Sequence, residues 1–149
     1  MWSYAETESW PCDFNVHDMW QIPMRATHMV HYKMKLLNSI FTLAPAGENP
    51  ETHRLYEALE TGSIPVMKRI SNDSFDFITH GLGPIVPFPI LNSWVDFLPM
   101  LEHYREHPVE LDHLQQAIVN WWARKKIEIG DDVRLVIDKS FAKAYGEGA

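Results

Sequence analysis

The sequence predicts an α/β fold in which a Rossmann-like parallel sheet is flanked by helices. Two short apolar runs, residues 40–44 and 63–67, have the length and composition of buried strands. The segment between them carries the start and stop signals of one helix, from Asn49 to Gly62. Two strands joined by one helix form a β-α-β unit, which implies parallel strands and a right-handed crossover.

Length and composition predict a single domain. The chain has 149 residues, of which 46% are hydrophobic, enough for one ordinary core. We expect residues 27–149 to form this domain. Residues 1–26 form an irregular lead-in without a steady period, and Trp2, Trp10 and Trp20 make it too apolar for a disordered tail.

Charge and cysteine content exclude several kinds of site. The net charge is −7, and no basic run is long enough to follow a nucleic-acid backbone, so no nucleic-acid partner is expected. Cys12 is the only cysteine, which excludes an intrachain disulfide and a cysteine-based zinc site. Acids stand where a signal peptide is basic, and no apolar stretch approaches the ~18 residues of a membrane span. The chain is therefore expected to be soluble, without a membrane span.

The first half of the chain supplies the elements of the β-α-β unit in order. Residues 27–38 show apolar side chains at helical spacing (Val30, Met34 and Leu37) and lead into the strand at 40–44. After a short loop, Asn49 is a good N-cap, with Pro50 at the first helical position and Glu51 in the first turn. Gly62 suits the left-handed position after the helix, and residues 63–67 form the next strand.

The second half is predicted to be mainly helical. A long loop at 68–87 precedes a strand at 88–91, and Pro89 indicates that this strand lies at a sheet edge or is short. Helices follow at 94–107, 108–126 and 131–143, the second with one apolar side. That side contains Leu111, Leu114, Ile118, Trp121 and Trp122, and the two tryptophans are assigned to the core rather than to sugar stacking. The cations Arg124, Lys125 and Lys126 are expected to cap a helix end.

The loop at 45–49 is the candidate ligand site. It stands at the carboxyl end of the first strand, where α/β sheets bind ligands and a helix N-terminus attracts phosphate. Gly47 allows a ligand to approach the backbone, while Arg54 and Glu57 share one helix face. Arginine can pair with a diphosphate and a carboxylate with a ribose diol. The alternative is a surface ion pair between Arg54 and Glu57, and Glu48 and Glu51 oppose an anion unless they point away.

Three segments resemble the exostosin-type glycosyltransferases. Residues 36–47, LLNSIFTLAPAG, are similar to the family segment LLxSxFxLxPxG, and RLYEAL at 54–59 with GSIPV at 62–66 is similar to RxxEAL…GxIPV. Within the family the similarity is greatest to the ribitol-5-phosphate xylosyltransferase group. It extends to AGENPE at 46–51, Gly83-Pro84 and the NSW at 92–94.

The resemblance implies the C-terminal, donor-binding lobe of a GT-B enzyme, with a separate N-terminal lobe as its missing partner. Arg54 then binds the diphosphate and Glu57 the ribose, while Gly47, Asn49 and Thr52 shape the phosphate loop. The implied reaction transfers a sugar from a nucleotide diphosphate sugar, such as UDP-xylose, to a hydroxyl of a glycan or glycoprotein, with inversion. No cofactor or metal beyond the donor is implied, the catalytic base is not identified, and relatives work in the Golgi lumen.

Some residues depart from the family pattern, and several histidines have more than one candidate role. Ala44 and Ser63 replace family cysteines, and Lys68 and Arg69 stand where relatives tend to carry acids, with Asp73 the nearest acid. His53 and His80 are possible donor contacts. His103 and His107 are spaced as metal ligands on a helix but lack a third ligand in the sequence, which favours surface histidines. The rival function is a truncated, non-catalytic binding or interaction module.

Overall fold

The computed structural model describes residues 26–47, 52–69, 82–83 and 85–145. Its elements, in chain order, are α1 (Ala26–Leu37), β1 (Phe41–Leu43), α2 (His53–Thr61), β2 (Ile64–Lys68), β3 (Ile90–Leu91), a 3₁₀ turn (Trp94–Asp96), α3 (Phe97–Glu106) and α4 (Pro108–Tyr145). The predicted lead-in up to residue 25 and most of the predicted loop at 68–87 lie outside the described residues.

The three strands form a parallel sheet in the order β1-β2-β3. Phe41 lies opposite Ile64 in the β1–β2 pair, and Met67 lies opposite Ile90 in the β2–β3 pair. The predicted β-α-β unit is therefore confirmed, and the α/β class with it. β3 lies at an edge of the described sheet, and the carbonyl of Pro89 accepts a hydrogen bond from the N–H of Met67. Proline is tolerated there because only its carbonyl is needed.

The prediction is wrong for the N-terminal end of α2 and correct for its C-terminal end. The helix begins at His53 and its N-cap is Thr52, whose backbone is extended. Asn49 was expected in that position, and the prediction of its capping role is wrong because the helical conformation starts only after Thr52. At the other end Gly62 has φ +76° and its N–H donates to the Leu59 carbonyl, as the left-handed end of a helix requires.

The core lies where α2 and the first half of α4 pack on the sheet. Leu55, Ala58 and Leu59 form the buried side of α2, and Ile118 and Trp122 come from α4. The other buried apolar residues include Ala44, Ile64, Val66, Met67, Leu82 and Phe88. Leu111, Leu114 and Trp121 pack against this core, which confirms the predicted apolar side of the helix.

The C-terminal helix differs from the prediction. α4 is one helix of 38 residues, where two helices at 108–126 and 131–143 were expected. Gly130 lies inside it and costs about 1 kcal/mol relative to alanine, which a long helix can accommodate. The cluster at residues 124–126 is therefore in mid-helix and does not cap an end. Lys125 pairs with Glu128 and Lys126 with Glu60 instead.

Two helical surfaces leave apolar side chains exposed. Val30, Met34 and Leu37 of α1 are exposed although their spacing is helical, and Leu36 is the buried residue of that turn. Beyond Lys126, α4 exposes apolar residues along its length, namely Ile127, Ile129, Val133, Leu135, Val136, Ile137, Phe141 and Tyr145. None of the described helices combines the length and apolar character needed to cross a membrane.

Candidate functional site

The candidate site is the edge of the sheet where all three parallel strands end. Residues 44–47 leave this edge after β1, and α2 returns to it so that its N-terminus begins there at His53. Lys68 ends β2 at the same edge, and Arg69 follows with its N–H bonded to the Leu91 carbonyl. Such an edge, with a helix N-terminus and two cations, has the electrostatic character of an anion site.

Thr52 has an unsatisfied hydroxyl at the start of α2. Its carbonyl accepts a hydrogen bond from the N–H of Leu55, but its side chain makes no capping hydrogen bond. The Oγ1 atom is buried and has no hydrogen-bond partner within the described part of the chain. A buried hydroxyl without a partner is costly, so this atom is suited to contact a bound ligand.

Gly47 lies on the exposed loop after β1. A Cβ atom added at this position would meet nothing within 4 Å, so packing does not require glycine here. The space beside the Cα atom of Gly47 is therefore open, and its predicted place in a phosphate loop stays a prediction. Two other predicted site residues, Asn49 and His80, lie outside the described residues.

Three predicted site residues lie together on exposed positions of α2. His53 and Arg54 are in its first turn and Glu57 follows one turn later. Arg54 and Glu57 do not form a salt bridge with each other, although both are described, so their spacing does not produce the ion pair considered above. The carboxylate of Glu57 instead accepts a hydrogen bond from the hydroxyl of Tyr32 in α1, at 2.5 Å.

Tyr32 contacts a predicted site residue, but the sequence did not indicate it as part of the site. Burial, and then the hydrogen bond to Glu57, raise the pKa of its hydroxyl, while the charge of Arg54 acts in the opposite direction. Glu57 and Arg54 therefore both act on the hydroxyl of Tyr32. The contact joins residues 25 positions apart, so no local spacing could have predicted it.

His103 of α3 and His107, the residue after this helix, form a surface cluster. The rings of His103 and His107 stack at 4.4 Å, and His103 Nε2 lies 2.9 Å from Glu110 Oε2. His107 Nδ1 is bonded to the carbonyl of His103. In the described ranges, no three His, Cys, Asp or Glu residues are arranged to hold a metal ion.

An open depression of about 320 Å³ lies between α2 and α4, at the C-terminal end of α2. Glu60 and Lys126 line it, and these two side chains already pair with each other. It is therefore at the opposite end of α2 from Thr52. Its charged groups satisfy one another, so the depression offers little to a charged ligand.

The fold and the edge described above define a parallel α/β protein with a helix N-terminus directed at its candidate site. The chain belongs to the RXYLT1 C-terminal domain family, which matches residues 4–142. This confirms the resemblance to the ribitol-5-phosphate xylosyltransferase group that the motifs at 36–66 indicated.

Three curated relatives carry the same name, ribitol-5-phosphate xylosyltransferase 1. The Homo sapiens protein is 27% identical over 143 residues, covering 87% of this chain, and the Mus musculus protein is 25% identical over 142 residues, covering 87%. The Danio rerio protein is 25% identical over 146 residues, covering 89%. The chain spans 32% of the length of each relative. No solved structure matches the chain.

Proposed function

We propose that this chain is the donor-binding lobe of a glycosyltransferase with the GT-B arrangement. The proposal is supported by the start of α2 at the carboxyl edge of the sheet, in a chain of this family. Arg54 lies in the first turn there, and the Thr52 hydroxyl has no partner among the residues that the structure describes. The names of the curated relatives describe xylosyl transfer. The proposed donor is therefore a nucleoside diphosphate sugar, most specifically a UDP-sugar such as UDP-xylose.

In the proposed site, two successive turns of α2 contact different parts of the donor. The N-terminus of the helix, with Thr52 and Arg54, binds the diphosphate, because it offers N–H donors and positive charge. Gly47 and Asn49 shape the loop over the phosphates. Glu57 accepts hydrogen bonds from the ribose, and His53 and His80 are further donor contacts.

The contribution of these residues to the reaction is electrostatic. When an acceptor hydroxyl attacks the anomeric carbon, the bond from that carbon to the diphosphate oxygen breaks and negative charge develops on the departing diphosphate. Groups already placed at that charge lower the barrier without reorganising. The acceptor proton passes to a base that we assign to the other lobe. Attack opposite to the leaving group gives inversion.

The proposed partner of this chain is an N-terminal lobe. The curated relatives are about three times as long as the matched region, which leaves room for a second lobe of GT-B type. The acceptor, a glycan or glycoprotein hydroxyl, is placed in the cleft between the lobes. By resemblance to the family the reaction takes place in the Golgi lumen.

A non-catalytic binding or interaction module is the second candidate. The observation that favours it is the series of exposed apolar residues on α4 beyond Lys126, because a solvent-exposed apolar face often marks an interface. In this case the chain would keep the fold without carrying out the reaction.

Calorimetric titration with UDP tests the first proposal. We expect saturable binding that Arg54→Ala weakens about tenfold or more, because a charge-assisted contact to phosphate is lost. Thr52→Val keeps the shape and should also weaken binding. Arg124→Ala, an exposed arginine of α4, is the matched control and should bind as the original chain does. Absence of binding by the folded chain, or equal effects of the two arginine substitutions, would contradict the proposal and favour the module.

A further inference from the structure

A hydrogen bond between Tyr32 and Glu57 links α1 to an exposed side of α2. The Tyr32 hydroxyl donates to Glu57 Oε2 at 2.5 Å, which is the length of a hydrogen bond to a charged acceptor. Tyr32 is 36% exposed and Glu57 is also exposed, so the pair lies at the surface where a ligand can reach it.

The hydroxyl is a stable donor. Burial and the neighbouring carboxylate both raise the pKa of Tyr32, so the group keeps its proton at physiological pH. The hydrogen bond therefore keeps one direction, from tyrosine to carboxylate. It uses Oε2, and Glu57 Oε1 has no hydrogen-bond partner among the described residues.

An unsupported glutamate on a helix surface samples many rotamers, and a ligand that needs one of them has to restrict the side chain when it binds. A hydrogen bond that already fixes the carboxylate lowers that cost, which is the effect of preorganisation on affinity. Glu57 stands one turn from Arg54, the residue assigned to the diphosphate. A fixed carboxylate at that distance suits the sugar that follows the phosphates in a nucleotide.

We propose that Tyr32 is a positioning residue of the donor site, whose hydroxyl holds the Glu57 carboxylate so that Oε1 accepts a hydrogen bond from the ribose diol. The inference rests on the proposed function and deepens it. It assigns recognition of a ribonucleotide, as opposed to a deoxynucleotide, to a pair of residues from two helices. The alternative is that the hydrogen bond between Tyr32 and Glu57 only links α1 to α2, as a tether, and has no part in ligand binding.

The test combines a change in the nucleotide with a change in residue 32. UDP, 2′-deoxy-UDP and 3′-deoxy-UDP are titrated against the original chain and against Tyr32→Phe, which removes only the hydroxyl. We expect Tyr32→Phe to weaken UDP binding about three- to tenfold, the size of one hydrogen bond to a charged group. Binding of at least one deoxy analogue should hardly change, so the preference for UDP over that analogue shrinks.

Tyr56→Phe is the matched control, because Tyr56 lies on the same helix but packs against Trp122 of α4. It should leave the preference for UDP unchanged. If Tyr32→Phe does not fold, Glu57→Gln replaces it, since the amide keeps the shape and loses the charge. The preference for the ribonucleotide should then shrink in the same way.

The outcomes separate this inference from the function on which it rests. A Tyr32→Phe chain that is less stable but keeps the original preference against both deoxy analogues shows a tether and overturns the inference, while the donor site stands. The same holds for an unchanged preference in Glu57→Gln. If the original folded chain binds none of the three nucleotides, the proposed function fails and the inference fails with it.

Discussion

The indole nitrogen of Trp122 lies 2.9 Å from Oε1 of Glu60, and this hydrogen bond fastens α4 to α2. Lys126 completes the arrangement, with its Nζ 3.0 Å from the other oxygen of Glu60 and 5.7 Å from the centre of the Trp122 ring. Only 7% of Trp122 is exposed. The side chain is therefore part of the core, as its apolar stripe predicted, and is not available to stack on a sugar.

Substitution of Trp122 tests its role in joining the helices. Trp122→Phe leaves a cavity and removes one of the two hydrogen bonds to Glu60, and we expect a loss of about 1–3 kcal/mol in the free energy of unfolding. Trp121→Phe is the matched control, because Trp121 is only half-buried and contacts Phe88 instead. It should cost less when both variants are unfolded in urea. Equal losses would contradict this account of the contact.

The charge of Glu60 makes part of the stability dependent on pH. The hydrogen bond from Lys126, followed by that from Trp122, lowers the pKa of Glu60 from its ordinary value of 4.5, against the opposing effect of desolvation. The folded state therefore favours the charged carboxylate. The resulting stabilisation is present above the ordinary pKa and is lost as the pH falls through the lower, folded value.

Glu60→Gln is accordingly expected to be less stable than the original chain at about pH 7, with a difference that shrinks as the pH falls below the ordinary pKa of 4.5. Because the pair is exposed, the effect at neutral pH should be below about 1 kcal/mol. Urea unfolding across this range measures it. Lys126→Gln should reduce the same pH dependence, and a difference that stays constant with pH would contradict the assignment.

Thr42 and Ser63 form a buried pair of hydroxyl groups between β1 and the residue before β2. Their oxygens are 2.7 Å apart, and Ser63 is 1% exposed. Among the described residues, Thr42→Val leaves the serine hydroxyl only a long contact to the Ile40 carbonyl, at 3.4 Å, and should cost about 1–3 kcal/mol. The double variant Thr42→Val/Ser63→Ala should cost less than the sum of the single variants. Additive losses in denaturant unfolding would show that the hydroxyls are not coupled.

Two glycines should respond in opposite directions to alanine. Gly62 has φ +76°, so Gly62→Ala forces a side chain into the left-handed region and should destabilise the chain by about 1 kcal/mol or more. Gly130 lies inside α4, where a Cβ would meet nothing within 4 Å. Gly130→Ala should therefore stabilise by about 0.5–1 kcal/mol. Thermal unfolding of both variants checks this, and a stabilising Gly62→Ala would contradict the observed helix end.

The sequence predicted the β-α-β unit because its signals are local. Apolar runs predict the strands, and Gly62 predicts the end of α2. The N-terminus of α2 was misplaced because Asn49 and Thr52 are both residue types that cap helices, and sequence preference alone does not choose between them. The single helix α4 was not predicted, because two helices at 108–126 and 131–143 were expected. The glycine between them, Gly130, costs too little to interrupt a helix.

The candidate site was predictable only in part. The position of Arg54 and Glu57 on one helix follows from their spacing, and both lie on α2 in the structure. The partner of Glu57 does not follow, because Tyr32 reaches it from another helix. Lys68 and Arg69 were visible as departures from the family pattern, yet their place at the same edge as α2 depends on the parallel order of the strands.

The most direct test of the donor site is to map where UDP contacts the chain. Backbone amide resonances of the isotopically labelled protein are followed by NMR during titration with UDP. The account predicts shifts at Gly47, at Thr52 to Glu57 and at Tyr32, with little change around Trp122. Saturable shifts centred on Glu60 and Trp122 instead, or no shifts in a folded chain, would contradict it.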